Sequence, residues 1–432
     1  MNDWHSWGRL PARPPRRVLA PADRAVPLLL PGDGPALPFG RGRSYGDVCL
    51  NSDGVLVSTA GLDRWIDFDA RSGVLRCESG VTLRAILELA LPRGWFLPVT
   101  PGTSEVSVGG AIANDVHGKN HHAAGSFGHH LRGFELLRSS GERMVCGPQQ
   151  HADWFAATIG GLGLTGLITW AELQLVPVCN PYMVVQTQRF GSLSRFWEIN
   201  EECERHWPYT VAWIDCVASG SARGRGVYMA ARHAGARQAA PAWRAARRSV
   251  PLTPPVSLVN AWSLRAFNTL YWHKAREGRS IVHHVPYFYP LDAVAHWNRI
   301  YGPRGFYQYQ CVLPPGVMRE ATAELLLRIE RSGQGSFLAV LKTFGDRPSL
   351  GMLSFPRPGA TLALDFPNRG AATSRLFDEL DAVVREAGGA LYPAKDARMQ
   401  PDLFAAAYPR ASSFEAFIDP AFGSDFWRRV RA

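Results

Sequence analysis

One short stretch near the N-terminus restricts the fold of this chain more than any other. The sequence PFGRGRSYGDV at 38–48 holds three glycines within seven positions. Glycine destabilises the interior of helices and strands, so the stretch predicts a tight loop or a backbone pressed against a neighbour. Successive amides in such a loop can point into one concavity and bind an anion, and its arginines and serine would add to the attraction. The alternative is a glycine-rich surface turn.

A second glycine-rich stretch favours the anion site over the surface turn. The sequence PGTSEVSVGGAIANDVHGKNHHAAGSFGHH at 101–130 holds six glycines, and small polar residues surround Gly109 and Gly110. Both stretches are flanked by predicted strands, which indicates that the two loops converge on one ligand. A cofactor with a diphosphate and a large ring would need both loops.

The second stretch also contains five histidines within fourteen positions, namely His117, His121, His122, His129 and His130. His117 and His121 have the i, i+4 spacing of a zinc-binding helix. Gly118 interrupts the helical pattern, and Asp115 is the one acid that accompanies them. We therefore expect no metal site here and predict that the loop lies against a cofactor ring.

The stretch GLGLTG at 161–166 matches the dinucleotide pattern G-x-G-x-x-G. A helix is predicted before it and a strand after it, whereas a Rossmann site needs a strand, the loop and then a helix. We therefore reject a Rossmann site and expect a tight turn near a ligand or near packed backbone.

The hydrophobic pattern separates two regions. Residues 38–176 alternate between short strands at 54–60, 73–79 and 166–178, helices at 82–91 and 152–160, and a hairpin at 133–146. From residue 305 the order becomes strand, helix, strand, strand, helix, strand. The first five elements are at 305–314, 316–333, 336–345, 360–367 and 374–389, and the last is a short apolar strand before Lys395. This order predicts an antiparallel sheet with helices on one face.

The middle of the chain is unusually basic. Residues 217–250 hold seven arginines and no acid, and their apolar periodicity is poor. We expect an exposed, mobile segment over about 217–260, which is either a solvated insertion or a surface for an anionic partner. The net charge of +10 likewise suggests an anionic partner. The seven cysteines are scattered, which indicates reduced thiols. No apolar run suits a membrane span or a signal peptide, so a cytoplasmic protein is expected.

Two groups of polar residues follow predicted strands towards the C-terminus. Lys395 comes directly after a short apolar strand, and it either faces solvent or enters a cleft with a shifted pKa. Gln308 and Gln310 lie on one face of a strand. That face suits a hydroxyl-rich ligand, or else it is an edge facing water.

Taken in order, PFGRGRSYGD, PGTSEVSVGGAIANDVHGKNHHAAGSFG, GLGLTG, FYQYQ, DFP and LYPAKDAR resemble the motifs of one family. It is the decaprenylphosphoryl-β-D-ribose 2′-oxidase family of FAD-linked oxidases of the vanillyl-alcohol-oxidase type. The resemblance implies an α+β fold with a two-part FAD-binding domain, 1–180 and 390–432. An antiparallel-sheet substrate domain, 181–389, would be inserted between the two parts.

The resemblance also implies the residues of the site. The cofactor would meet Pro38, Phe39, Gly40, Arg41, Gly42, Arg43, Ser44, Tyr45, Gly46, Asp47, Val48, Gly102, Ser107, Val108, Gly109, Gly110, Asn114, Asp115, Val116, His117, Ile168 and Tyr392. The substrate would meet Tyr45, Lys119, Trp213, Tyr289, Gln308, Gln310, Lys342 and Lys395. Lys395 would contact the reacting hydroxyl as a base or as a charge that stabilises the alkoxide, and His117 would support the flavin.

Three positions depart from the family pattern. Arg43 stands where many flavin oxidases carry the histidine that bonds to the flavin, so non-covalent FAD is expected. Ala363 replaces the cysteine to which covalent inhibitors of the actinobacterial enzyme attach. Thr361 replaces an asparagine, which leaves open which sugar is recognised.

The implied reaction is FAD-dependent oxidation of the ribose 2′-hydroxyl of a polyprenyl-phosphate-linked ribose, the first half of an epimerisation to arabinose. The implied partners are the lipid-linked substrate, an NADH-dependent keto-reductase and the inner face of a membrane, with no nucleic acid. One alternative is an oxidase of soluble sugars or aldonolactones. A non-catalytic basic protein that binds phospholipid or nucleic acid is the other, and it predicts a colourless protein.

Overall fold

Three large β-sheets carry the fold, and the computed structural model describes residues 4–30, 32, 34–238 and 248–432. The strands of these residues are Arg17–Leu19 (β1), Ala36–Phe39 (β2), Val55–Ser58 (β3), Trp65–Asp69 (β4), Val74–Glu78 (β5), Trp95–Phe96 (β6), Leu131–Leu137 (β7), Arg143–Cys146 (β8), Leu167–Gln174 (β9), Val176–Pro177 (β10), Tyr182–Phe190 (β11), Tyr209–Ile214 (β12), Gly226–His233 (β13), Arg248–Ser249 (β14), Gly278–His283 (β15), Val294–Ala295 (β16), Phe306–Leu313 (β17), Val340–Phe344 (β18), Gly359–Pro367 (β19) and Ala390–Leu391 (β20).

The α-helices of the same residues are Leu83–Ala90 (α1), Val108–Ala113 (α2), His121–Ala124 (α3), Ala152–Thr158 (α4), Leu193–Glu204 (α5), Ala261–Lys274 (α6), His284–Phe288 (α7), Met318–Ser332 (α8), Ala371–Glu386 (α9), Pro401–Ala407 (α10), Ala411–Phe414 (α11) and Asp425–Val430 (α12). Short 3-10 turns are Asp47–Cys49, Leu91–Arg93, Phe127–His130, Gly220–Ala222, Pro290–Ala293, Trp297–Tyr301 and Glu415–Phe417.

The first part of the chain forms two sheets. A parallel three-stranded sheet has the order β1-β3-β2, and an antiparallel five-stranded sheet has the order β4-β5-β9-β7-β8. The strands, hairpin and helices predicted from residues 54–178 all form. The Thr82 side chain accepts a hydrogen bond from the Ala85 amide and caps α1, because it supplies an acceptor for a donor that has no partner within the helix.

The second part forms an antiparallel sheet of eight strands in the order β15-β11-β13-β12-β18-β19-β17-β20. The predicted order of elements, β17-α8-β18-β19-α9-β20, is confirmed. Helices α5, α8 and α9 pack on one face, where Tyr309, Cys311, Leu362 and Leu364 join the largest apolar cluster. Because side chains alternate along a strand, the neighbouring polar residues of β17 and β19 point to the opposite face. Together with the antiparallel five-stranded sheet, this arrangement confirms the predicted α+β class.

The expectation of an exposed segment over about 217–260 is wrong for its central part. Gly226–His233 is strand β13, which lies between β11 and β12 and is mostly buried. It pairs with a strand on each side, and several of its residues are small. Its sequence therefore shows only a weak alternation of apolar and polar residues. Arg225 and Arg232 at its two ends bind Asp215 and the Trp207 ring, respectively. Residues 239–247 of the predicted segment lie outside the described residues.

The C-terminal segment returns to the first part of the chain after its short strand β20. Ala390–Leu391 pairs with β17 and belongs to the eight-stranded sheet. After it, Arg429 binds the carboxylates of Asp47 and Asp396 at 2.8 Å each, and Ala36 donates to the Ala421 carbonyl. The two chain ends therefore support one region. Within the described residues, no helix combines the length and the apolar character that a transmembrane span requires.

Candidate active site

A cavity of about 650 Å³ opens where the two glycine-rich loops, the eight-stranded sheet and the C-terminal segment meet. The sheet contributes the polar face opposite its helices. In register, Gln308 lies beside Asp365, Gln310 beside Ala363, and Lys342 beside Thr361. All six line the cavity. Its size and its mixture of apolar and polar walls suit a small-molecule site.

The first glycine-rich loop is shaped to receive an anion. Its residues 40–45 line the cavity, and no described residue accepts a hydrogen bond from the backbone N–H groups of 41–44. Four successive donors without a protein acceptor form a concavity that favours negative charge. The loop is held from behind, because the Tyr45 amide donates to the Ala394 carbonyl at 2.9 Å. A Cβ on Gly46 would lie 1.6 Å from the Asp396 carbonyl oxygen, so only glycine fits there.

The second loop meets the first one at the cavity. Ser107 caps α2 by accepting from the Gly110 amide, and a Cβ on Gly40 would lie 2.5 Å from its hydroxyl oxygen. Further along, the Tyr392 hydroxyl donates to the Asn114 carbonyl at 2.9 Å and ties the C-terminal segment to this loop. The GLGLTG stretch forms the predicted tight turn beside the cavity. Leu162 adopts a left-handed φ of 57°, a conformation that is strained for a residue with a side chain.

Five polar atoms of the cavity wall are shielded from solvent and have no hydrogen-bond partner among the described residues. They are Arg43 Nε, Ser79 Oγ, Asn114 Oδ1, His117 Nδ1 and Asp365 Oδ2. A shielded polar group without a partner is costly, so native structures rarely leave one unpaired. Five of them around one cavity indicate a polar ligand there.

His117 sits between the second loop and the sheet. The Gln310 side-chain amide donates to its Nε2 at 3.1 Å, so the proton of the neutral ring is on Nδ1. Burial, followed by the nearby charges of Lys342 and Lys395, holds the pKa of His117 well below its ordinary value. The ring is therefore neutral at pH 7 and presents an N–H group at Nδ1.

Three lysines line the cavity: Lys119, Lys342 and Lys395. The whole chain has only four lysines among its 47 basic residues, so this concentration is not a matter of composition. Burial lowers the pKa of Lys119 to about 7 and, with the charges of the other two lysines, that of Lys342 to about 7. Lys119 contacts the Tyr287 carbonyl, and Lys342 donates to the Gly118 carbonyl at 2.6 Å.

The third lysine faces a carboxylate. Burial lowers the pKa of Lys395 and raises that of Asp365, and the attraction between their charges opposes both shifts. Gln308 donates to Asp365 Oδ1 at 2.6 Å. The Lys395 Nζ lies 3.8 Å from the centre of the Tyr45 ring. This end of the cavity can hold a hydroxyl-bearing ligand next to a group that exchanges a proton.

Another part of the cavity wall is apolar. It is lined by Phe267, Tyr271, Leu291, Trp297, Phe337 and Leu338. Phe267 and Tyr271 are on α6. Their rings pack against those of Phe337 and Trp213, at centroid distances of 4.9 and 4.6 Å, respectively. The cavity wall thus combines cationic and apolar side chains.

The structure brings most of the predicted site residues to this one cavity. Those that line it are Pro38, Gly40, Arg41, Gly42, Arg43, Ser44, Tyr45, Val48, Gly102, Ser107, Gly109, Gly110, Asn114, Val116, His117, Lys119, Ile168, Trp213, Gln308, Gln310, Lys342, Tyr392 and Lys395. The remaining six, Phe39, Gly46, Asp47, Val108, Asp115 and Tyr289, do not line it.

These six residues lie behind the wall and support it, and their predicted contact with the ligand stays a prediction. Phe39 and Val108 are buried in the core, and Gly46 abuts the Asp396 backbone. Asp47 binds Arg429. Asp115 accepts hydrogen bonds from the Gly128 amide and the Ser354 hydroxyl, and the Tyr289 hydroxyl is bonded to that of Thr100 at 2.6 Å.

Several wall residues were missed by sequence reasoning. Trp7 covers the first loop, and the Arg43 guanidinium lies 4.2 Å from its ring centre. No pattern links this N-terminal tryptophan to a loop that lies 36 positions later. Asp365 was read only as part of a motif, although its alternation with Ala363 and Thr361 places it on the same face. The apolar residues of α6, which follow the segment expected to be exposed, were not singled out from the sequence.

Comparison with known proteins identifies the family. Residues 32–147 match the FAD binding domain family. The chain is 37% identical to decaprenylphosphoryl-β-D-ribose oxidase of Mycolicibacterium smegmatis over 408 residues. The aligned residues cover 91% of this chain and 88% of that protein. The chain belongs to the decaprenylphosphoryl-β-D-ribose oxidase family. The resemblance drawn from the motifs is confirmed, and this family member is an FAD-dependent oxidoreductase that acts on a CH–OH group.

Other relatives match less informatively. An uncharacterized protein in the mprA 5′ region of Streptomyces coelicolor is 36% identical over 371 residues, which are 81% of this chain and 100% of that protein. Human Delta(24)-sterol reductase is 30% identical over 112 residues, which are 26% of this chain and 22% of that protein.

FAD, the cofactor that the family implies, fits the residues of the cavity. The unpaired N–H groups of 41–44 suit the oxygens of a diphosphate. Ser79, Asn114 and His117 each leave a shielded polar atom available to a ribityl chain or a flavin ring. The lysine and glutamine side chains of the same cavity remain for a substrate.

Proposed function

We propose that this protein oxidises the ribose 2′-hydroxyl of a polyprenyl-phosphate-linked ribose to the 2′-keto sugar, the first half of an epimerisation to arabinose. The observation that carries the proposal is that enclosed lysines and a set of aromatic and aliphatic side chains line one cavity. A phosphate suits the enclosed lysines, and a long hydrocarbon chain suits the aromatic and aliphatic wall. A soluble sugar would use only the first of these.

FAD is proposed to bind without a covalent bond. Arg43 offers no nucleophile where a tethering histidine stands in many related oxidases, and its guanidinium stacks on Trp7 instead. The residues proposed to meet the cofactor are the wall residues of the two loops, together with Ile168 and Tyr392. When bound, FAD supplies the hydride acceptor for alcohol oxidation.

The substrate is proposed to lie against the polar face of the sheet. Lys119 and Lys342 suit its phosphate, since their partners are backbone carbonyls and no described carboxylate forms an ion pair with either. Gln308 and Gln310 suit the sugar hydroxyls. Trp213 forms a wall beside them, and Tyr289 acts from behind through Thr100.

Lys395 is proposed to accept the proton of the reacting hydroxyl. Its lowered pKa provides a larger neutral fraction near pH 7 than an exposed lysine has. Asp365 next to it favours the ammonium form that results, and Gln308 holds that carboxylate in place. His117, neutral and held by Gln310, is proposed to support the flavin through its free Nδ1–H.

The division of labour along the chain is part of the same proposal. We propose that residues 181–389 form an inserted substrate domain and that 1–180 and 390–432 form the two parts of the FAD-binding domain. The eight-stranded sheet carries Gln308, Gln310 and Lys342, while the glycine-rich loops lie outside it. A keto sugar on a lipid carrier requires a hydride donor to complete the epimerisation, so an NADH-dependent keto-reductase is the proposed partner. A lipid-linked substrate also implies work at the inner face of a membrane.

The test uses the flavin as its reporter. The purified yellow protein is mixed anaerobically with a polyprenylphosphoryl ribose, and the visible absorbance is followed. Bleaching of the flavin, reversed by an electron acceptor and accompanied by the 2′-keto product, is expected. Absence of bleaching with the lipid-linked ribose, or rapid peroxide formation with simple sugars, would overturn the proposal. A colourless protein with salt-dependent lipid binding would do so as well.

A further inference from the structure

Exposed apolar side chains are concentrated in one part of this protein. Thirteen large apolar residues are exposed in the described part of the chain, and seven of them lie within twenty consecutive positions. We call these seven the 252–271 patch: Leu252, Val256, Leu258, Trp262, Phe267, Leu270 and Tyr271. The other six are spread over the rest of the described chain. A concentration of this kind marks a surface that binds something apolar.

Helix α6 shows why the patch is not simply a poorly buried core. Its inner face is anchored by Leu264 and by Asn268, whose amide donates to Asp215 at 2.8 Å. Its outer face carries Trp262 and Leu270, which are 83% and 53% exposed. A surface helix normally pairs an apolar inner face with a polar outer face. This helix has apolar residues on both faces, so its outer face is expected to have a partner.

The patch is continuous with the cavity. Phe267 and Tyr271 belong both to the patch and to the apolar part of the cavity wall. The loop before α6 is fixed to the same place, because the Ser263 hydroxyl donates to the Leu258 carbonyl and Val259 packs in one cluster with Leu264 and Trp297. An apolar chain could therefore pass from the outer surface to the cavity without crossing a polar barrier.

The charge around the patch selects the kind of partner. From residue 216 to residue 276 the sequence contains ten lysines and arginines and no aspartate or glutamate. Arg248, Arg265 and Arg276 are exposed. Apolar side chains among basic ones suit the boundary between the headgroups and acyl chains of an anionic bilayer.

We infer that the 252–271 patch is a docking surface for an anionic phospholipid bilayer and that it connects the apolar part of the cavity wall with the lipid phase. The second half of this inference rests on the proposed function, because only a lipid-linked substrate needs such a route. The first half concerns vesicle binding and is measured without turnover.

The experiment compares matched surface variants of the flavin-bound full chain. Trp262→Ser/Leu270→Ser removes the outer face of α6, and neither residue lines the cavity. Val26→Ser/Leu29→Ser removes comparable exposed side chains, 53% and 81% exposed, elsewhere. Flotation is measured with vesicles of phosphatidylcholine alone and with one-third phosphatidylglycerol. We expect binding to the anionic vesicles, reduced about tenfold or more by the α6 variant and unchanged by the control variant.

Turnover separates the two halves of the inference. A short-chain, water-soluble ribosyl phosphate is expected to reduce the flavin of the α6 variant at the wild-type rate. With a polyprenyl substrate embedded in anionic vesicles, its rate is expected to fall about tenfold or more. Equal flotation of all three proteins overturns the docking surface. The same holds if the α6 variant loses self-association but still binds the vesicles. Loss with the short-chain substrate as well overturns the proposed route. No flavin reduction by either ribose in the wild type refutes the proposed function and leaves the flotation result to decide the docking surface.

Discussion

The side-chain amide of Gln310 donates a 3.1 Å hydrogen bond to Nε2 of His117 and thereby joins the eight-stranded sheet to the second glycine-rich loop. The same amide donates to the Thr361 hydroxyl at 3.2 Å, so its orientation is determined from two sides. Because Nε2 accepts, the ring proton is on Nδ1, the atom without a partner at the cavity. A residue of the proposed substrate side therefore sets the hydrogen bonding that His117 offers on the proposed cofactor side.

A Gln310→Glu substitution should favour the protonated form of His117. A carboxylate within hydrogen-bond reach raises the pKa of an imidazole, because it stabilises the charged ring, and so opposes the lowering caused by burial. We expect kcat at pH 7 to fall about tenfold or more and to recover partly as the pH rises and His117 loses its added proton. The measurement is kcat against pH, with the flavin spectrum as a second readout. Gln310→Leu, which adds no charge, should lack the pH-dependent recovery, and identical profiles for both variants would contradict the assignment.

A Lys395→Ala substitution tests the proposed base. Removal of a general base typically lowers kcat by about 10²–10⁴-fold, whereas the bound flavin should remain because Lys395 is not among the residues proposed to hold it. Added methylamine should restore part of the rate, and more so as the pH rises, since the neutral amine is the active form. Lys395→Arg should not restore the rate, because arginine stays protonated. Arg331→Ala, at an exposed site on α8, is the control. Wild-type kcat in Lys395→Ala would exclude the role.

An Arg429→Ala substitution tests how the C-terminal segment holds the first loop. Arg429 binds Asp47 behind that loop and Asp396 behind the Lys395 turn, and both contacts are 2.8 Å. Its removal takes the cationic partner from both carboxylates, while the Arg398 and Met399 amides still donate to Asp396. We expect a cost of about 1–3 kcal/mol of unfolding free energy. We expect the variant to lose flavin during gel filtration, read as a lower ratio of visible to ultraviolet absorbance. Arg431→Ala, whose partner Glu415 is largely exposed, should retain it. Equal retention by both would disprove the coupling.

The state of the flavin tests Arg43. No histidine occupies that position, so the flavin should pass into the supernatant when the protein is precipitated with acid. Its fluorescence there, compared with that of the pellet, measures the released fraction. Yellow precipitate with a colourless supernatant would show a covalent bond and would contradict the proposal. Arg43→Ala should weaken FAD binding, because the guanidinium covers the loop together with Trp7.

The sequence predicted the parts of this fold that depend on local periodicity. Helix α1 with its Thr82 cap and the alternating strand β17 follow from spacing within ten residues. Strand β13 was missed because small residues and terminal arginines hide its alternation, and only its two neighbouring strands reveal its burial. The site shows the same limit. The glycine loops were visible as motifs, but the contact of Trp7 with Arg43 depends on how the chain returns on itself.

The scarcity of lysine in this chain is a further sequence signal that points to the cavity. Lysine is rare in this chain and arginine is common, so a lysine marks a position where a guanidinium is unsuitable. Lysine shifts its pKa on burial, whereas arginine remains charged. Three of the four lysines are in the cavity, while the fourth, Lys274, is exposed at the end of α6.

These lysines should make the stability of the protein rise with pH just above neutrality. Burial lowers the pKa of Lys119 and Lys342 to about 7, while in the unfolded chain the ordinary value of 10.5 applies. Above pH 7 the unfolded state therefore binds more protons than the folded state, and the free energy of unfolding increases with pH. Each lysine contributes at most about 1.4 kcal/mol per pH unit.

The window for this measurement ends near pH 8.5. Burial raises the pKa of the Cys77 and Cys216 thiols to about 12, so at higher pH the unfolded chain loses thiol protons that the folded one keeps, which opposes the trend. Urea unfolding of the flavin-bound protein between pH 7.0 and 8.5 should show the positive slope. Lys119→Met should reduce that slope by removing one titrating group. Lys274→Met, at the exposed lysine, should leave it unchanged. A flat slope in the wild type, or equal slopes in the wild type and Lys119→Met, would mean that these lysines keep their ordinary pKa in the cavity.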